Sequence, residues 1–123
     1  MTQEMMMQSL TDLLEGNEKL RCPVYGTLKL EGRHCFGFFG LTDRYLLIAL
    51  LDYSLGFVGW TRRIPLKLKA VKVKRTLIPF QRKVIIEFPK GKACELRISK
   101  KVMGFPNQKE NFAEFTERLK KKV

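Results

Sequence analysis

Leu20 marks the point where the apolar residues change their spacing, and that change constrains the fold more than any other feature of the chain. Before it, Met6, Leu10, Leu13 and Leu14 recur at helical intervals in TQEMMMQSLTDLLEG, and Gly16 follows as a stop. After it the period is two. Seven strand-like runs follow: LRCPVYGTLKL (20–30), RHCFGFFGL (33–41), RYLLIALLD (44–52), VGWTRRIPL (58–66), AVKVKRTL (70–77), RKVIIEF (82–88) and KACELRIS (92–99). Glu31-Gly32, Thr42-Asp43 and Pro89-Lys90-Gly91 are short turn signals, so neighbouring runs are expected to pair antiparallel. RYLLIALLD does not alternate and should be buried on both faces, with a helix over its outer side.

The last stretch, NQKENFAEFTERLKKK, reads as a second helix. Asn107 and Glu110 have capping-box spacing after Pro106, and Phe112, Phe115 and Leu119 form an apolar stripe. Glu114–Arg118 and Glu117–Lys121 are favourable pairs four residues apart. The helix should dock on the sheet. At 123 residues the chain suits one domain, with residues 1–19 as a helical lead into a unit covering 20–123.

Charge is concentrated. The net charge is +12, and residues 61–101 hold fourteen Lys/Arg against two Asp/Glu. KLKAVKVKR (67–75) lies inside that segment. Leu66, Leu68 and Ala70 share one phase and Val71 and Val73 the other, so a bulge or bend is expected at Ala70-Val71. The lysines then form an outward face. A basic segment of this kind favours an anionic lipid surface, an acidic protein face or nucleic acid. The candidate anion-facing residues are Arg62, Arg63, Lys67, Lys69, Lys72, Lys74, Arg75, Arg82 and Lys83. The loop YSLGFVGW (53–60) offers Phe57 and Trp60 as an apolar anchor, against the plainer reading of hairpin packing. Nucleic acid ranks third because no RNP-like aromatic string is present.

Catalytic and metal chemistry are not expected. His34 and Cys35 adjoin, but no second ligand pair has suitable spacing. The glycines at 26, 37, 40, 56 and 59 form neither a Walker loop nor a dinucleotide fingerprint. No nucleophile, base and orienting group assemble on paper, so no enzyme activity and no cofactor are expected. Three cysteines without CxxC spacing fit a reducing compartment. MTQEMMMQS lacks the pattern of a signal peptide, and the longest apolar run, YLLIALL, is far below the ~18 residues of a membrane span. The expected location is cytoplasmic, peripheral to the inner face of a membrane.

The ordered set LLEGNEKL, FFGLTDRYLLIALLD, RRIPLKLKAVKV and the closing helix resembles bacterial pleckstrin-homology-like (GRAM-like) domains over nearly the whole chain. The resemblance implies a mainly β fold: a seven-stranded antiparallel, partly open barrel with an N-terminal helix and a capping C-terminal helix. It implies a module that binds lipids or proteins, self-association included. Phosphoinositide-binding members place a basic cluster ending in K/R-x-R across the first hairpin. KLEGRHC departs from it at Glu31 and Cys35, so specific phosphoinositide recognition is not implied.

Overall fold

The computed structural model describes residues 2–52 and 57–123. Helix α1 spans Gln3–Thr11. Strands follow at Arg21–Leu30 (β1), Arg33–Leu41 (β2), Tyr45–Asp52 (β3), Phe57–Pro65 (β4), Ala70–Arg75 (β5), Gln81–Glu87 (β6) and Ala93–Ser99 (β7), and helix α2 covers Gln108–Lys120. All seven expected strands are present, with ends within two residues of those expected. They form one antiparallel sheet in the order β4-β3-β2-β1-β7-β6-β5. β4 and β5 are its edges, so the sheet is not closed into a barrel.

The sheet is nonetheless curled. Trp60 and Ile64 of β4 line the same surface hollow as Cys94 of β7. Those strands are four steps apart in hydrogen-bonded order, about 19 Å on a flat sheet. The inner face carries the main core, with Val24, Leu28, Phe39, Ile48, Val84, Ile86, Leu96 and Ile98 packed around Phe112, Phe115 and Leu119 of α2. Gly26 and Gly37 face each other across β1 and β2. A Cβ on Gly26 would stand 2.5 Å from the Arg97 carbonyl oxygen, and one on Gly37 would stand 2.8 Å from the Ala49 carbonyl oxygen. Only a missing side chain permits these approaches.

β3 is buried on both faces, as its lack of alternation implies, and so is β2 from Gly37 onward. Phe38, Leu47 and Ala49 point outward into a second cluster, roofed by Met6 and Leu10 of α1 and by Phe105. Met6 is fully buried and Met5 packs against the cluster, so these two methionines serve packing, while Met7 is exposed. α1 closes at Thr11, before Gly16. Leu13 and Leu14 follow in two tight turns and still rest on the outer cluster. Arg63 fastens this roof. Its guanidinium donates to both Glu18 carboxylate oxygens at 2.6 and 2.9 Å and to the Leu13 carbonyl at 2.9 Å, and lies 4.2 Å from the centroid of the Tyr45 ring. That bidentate bond, with the Glu15 backbone N–H, pulls the Glu18 carboxyl from 4.5 down to about 2.

Two local expectations fail for physical reasons. No bulge or bend interrupts β5, whose register with β6 is continuous from Ala70 to Arg75, and the bend falls just before it, at Lys69. The change of phase is absorbed in the crossover at 66–69, where Leu66 and Leu68 are buried outside any strand. The capping box does not form either. Asn107 has φ −100° and ψ 15°, not the extended backbone that capping needs, and its side chain makes no cap bond. Gln108 decides the helix start instead. Its Oε1 accepts the Tyr25 N–H at 3.1 Å, while its Nε2 donates to the Tyr25 and Ser99 carbonyls at 2.7 and 3.0 Å. β1 and β7 pair only at Thr27–Arg97 and Leu28–Leu96, so Gln108 bridges the two strands where their ladder stops. Asn111 donates in the same way to the Pro23 carbonyl at 3.0 Å.

Two outcomes follow from this anatomy. Phe115→Ala should lower stability in urea by about 3–5 kcal/mol, and Gln108→Leu by about 1–3 kcal/mol for orphaned backbone groups. Unchanged midpoints in both variants would contradict the role given to α2. The depressed Glu18 contributes stability that is full above pH 4.5 and lost as pH falls through about 2. Glu18→Gln should therefore melt lower than wild type at neutral pH, and the two should converge near pH 2. A constant gap across that range would refute the assignment.

Candidate functional site

The nine cations singled out from the sequence do not share one face. Lys72 and Lys74 alternate outward on β5, and Lys83 outward on β6. Lys74 lies opposite Lys83, and Lys83 opposite Arg97 of β7, so three cations form a row across three strands. Like charges directly opposite cost stability. Lys74 and Lys83 have no acidic partner among the described residues, whereas Lys72 meets Glu87 at 3.4 Å and Arg97 meets Glu95 at 3.8 Å. Arg75 and Arg82 form the next facing pair, on the opposite phase at the end of the hairpin. Lys69 is exposed in the crossover, where its N–H donates to the Glu87 carbonyl at 2.7 Å. Arg63 is committed to Glu18 and is not free to meet a ligand.

The β5–β6 turn carries the feature that sequence reasoning missed. Thr76 organises it: its hydroxyl oxygen accepts the Ile78 N–H at 3.2 Å and lies 2.8 Å from the Gln81 side-chain oxygen. The Gln81 N–H reaches the Ile78 carbonyl at 3.3 Å, and the Lys100 N–H reaches the Phe80 carbonyl at 2.7 Å. With the turn tied from inside, its side chains project outward. Leu77 is fully exposed, and Ile78 and Phe80 are 54% and 52% exposed. Lys101 sits 4.5 Å from the centroid of the Phe80 ring, and the neighbouring Met103 is 98% exposed. The signal was present in the sequence. TLIPF places four apolar residues in a turn, where polar ones are usual, between Lys74-Arg75 and Arg82-Lys83.

Arg62 alternates to the side of β4 opposite Arg63. Register pairs Trp60, Arg62 and Ile64 with Leu50, Ile48 and Leu46, all inner-face residues. Trp60 is half-buried against the main core, as hairpin packing predicts, with the Arg62 guanidinium 4.9 Å from its ring centroid. Phe57 is 52% exposed at the start of β4. The rest of the expected anchor loop, residues 53–56, lies outside the described residues. Between Trp60 and Ile64 on one side and Phe88 and Cys94 on the other runs an open groove of about 490 Å³. Lys67 and Lys92 join Arg62 at its rim.

Burial pushes the Cys22 and Cys94 thiols up to about 12, so both stay protonated at neutral pH and neither is a nucleophile. His34 is exposed on β2, opposite Lys29. No group of three His, Cys, Asp or Glu side chains among the described residues could hold a metal ion. No helix among them is long and apolar enough to cross a membrane.

No family model and no curated protein matches the chain. Solved structures do. The C-terminal domain of an unknown protein from Leishmania infantum superposes with a TM-score of 0.63 at 11% identity, covering 91% of this chain and 92% of that one. The hSac2 domain from human phosphoinositide phosphatase Sac2 superposes with a TM-score of 0.62 at 15% identity, covering 94% of this chain and 76% of that one. At such identities the likeness is one of fold.

Proposed function

We propose that this chain is a non-enzymatic, pleckstrin-homology-like module that docks peripherally on an anionic bilayer through its β5–β6 hairpin. The observation that carries the reading is Leu77. A fully exposed leucine at the tip of a hydrogen-bonded turn is costly in water, and it stands between cations on both arms of the hairpin. In a bilayer the tip enters the headgroup layer, where Phe80 favours the interface. Lys74, Arg75, Arg82, Lys83 and Lys101 then reach lipid phosphates.

Magnitudes favour the two together over either alone. Each cation near an anionic surface contributes about 1 kcal/mol, and each tip side chain up to about 1.5–3 kcal/mol when fully buried. A single apolar anchor gives only marginal attachment, whereas an anchor with a polybasic patch is stable. Nucleic acid would use the cations but leave Leu77 and Ile78 in water. The fold shared with a domain of a human phosphoinositide phosphatase supports a place beside lipid.

Co-sedimentation tests this directly. The protein should pellet with vesicles containing phosphatidylserine, not with pure phosphatidylcholine, and salt should release it. Leu77→Asp should abolish pelleting without shifting the melting temperature, because that side chain supports nothing else. Lys74→Glu with Lys83→Glu should weaken pelleting at least about tenfold. Equal binding to neutral vesicles, or indifference to all three substitutions, would sink the reading. RNA that outcompetes the vesicles would move the function to nucleic acid.

A further inference from the structure

The groove along β4 lies at the other end of β6 from the hairpin tip, roughly 20 Å away along the strand. It exists because the sheet does not close. Beside the free edge of β4, the inner face is left partly uncovered, and Trp60, Ile64, Phe88 and Cys94 form an apolar floor that still touches the main core. The rim is of one sign. Arg62, Lys67 and Lys92 border the groove, no carboxylate lines it, and none of the three cations has an acidic partner among the described residues. Four other hollows on the described surface each include an Asp or Glu beside their cations.

From this arrangement we infer that the groove is a binding site for a single-chain anionic amphiphile, a long-chain fatty acid, with its hydrocarbon on the Trp60–Ile64–Phe88–Cys94 floor and its carboxylate between Arg62, Lys67 and Lys92. The volume of about 490 Å³ falls within the range of small-molecule sites and suits one chain. The floor offers no polar side chain to read a sugar or a base, so a nucleotide would gain from the rim alone. A neutral hydrocarbon would gain from the floor alone. Arg62 is already drawn over the Trp60 ring, so one side of its guanidinium is screened from water and its remaining donors are oriented before a carboxylate arrives. Cys94 keeps its proton at neutral pH, which leaves the floor uncharged. The site is independent of the hairpin: a membrane-docking tip does not require the groove, nor the groove the tip.

Trp60 is the only tryptophan and lies in the floor, so its emission reports this site. Monomeric dodecanoate, titrated into the full chain below its critical micelle concentration, should shift that emission saturably and raise the melting temperature. Dodecyltrimethylammonium, with the same tail and the opposite charge, should bind at least about tenfold more weakly, as should the exposed double variant Lys67→Glu with Lys92→Glu. Cys94→Phe, which adds a ring to the floor itself, should abolish the response while far-UV circular dichroism of the unliganded protein holds. An emission that does not respond to dodecanoate, responds equally to the cationic amphiphile, or survives both variants would overturn the inference. Phosphatidylserine pelleting of the Lys67/Lys92 variant separates the two readings. It should persist there and be lost in Leu77→Asp, whose dodecanoate response should persist in turn.

Discussion

The two free edges of the sheet set the terms for everything packed on it. Seven strands curl far enough to share one core, yet β4 and β5 do not hydrogen-bond, so the inner face cannot be sealed by strands alone. α2 seals most of it. Three apolar side chains reach the core, and Gln108 supplies the backbone bonds that β1 and β7 stop exchanging beyond Thr27 and Arg97. A buried amide that satisfies three backbone groups is worth more than its own bonds, because its removal leaves those groups unpaired away from water.

Burial that follows a period was legible in the chain. The seven strands, the double-sided burial of β3 and the stripe on α2 all rest on alternation or on its absence, and all appear as read. The capping box at Asn107 was a local pattern that does not form, and the next residue, Gln108, is instead held by tertiary bonds to β1 and β7. The bulge or bend expected at Ala70-Val71 was a real change of phase, and it falls just ahead of β5, in the crossover. A chain can reverse phase at no cost to a ladder wherever it runs outside one, as residues 66–69 do.

The cations were harder to read, because a run of charge in sequence is sorted by the pleat into different surroundings. Arg62 and Arg63 adjoin, yet one stacks on Trp60 beside the groove and the other holds the α1 roof through Glu18. No local pattern separates them. The difference lies in what stands opposite: Glu18 comes from a turn 45 residues earlier in the chain. The apolar turn at 77–80 was overlooked for the reverse reason. Hydrophobic residues next to a strand are ordinarily read as its continuation, and only the closed turn around Thr76 turns them outward.

Self-association through a free edge competes with surface binding as an account of these charges, and the edges themselves weigh against it. β5 is six residues long and carries Lys72, Lys74 and Arg75, while β4 ends in a proline that cannot donate. Short, charged edges and proline are the devices that keep sheets from pairing with copies of themselves. That argument gives Lys72 and Lys74 a structural reason to exist. It gives none to Lys83, which lies on β6 between two partner strands and faces a cation on each side. Nor does it account for Leu77, which guards no edge and packs on nothing. Once edge protection and the ion pairs are set aside, a lysine with no acidic partner among the described residues and a bare leucine remain on one hairpin, and a surface at once anionic and apolar would satisfy both.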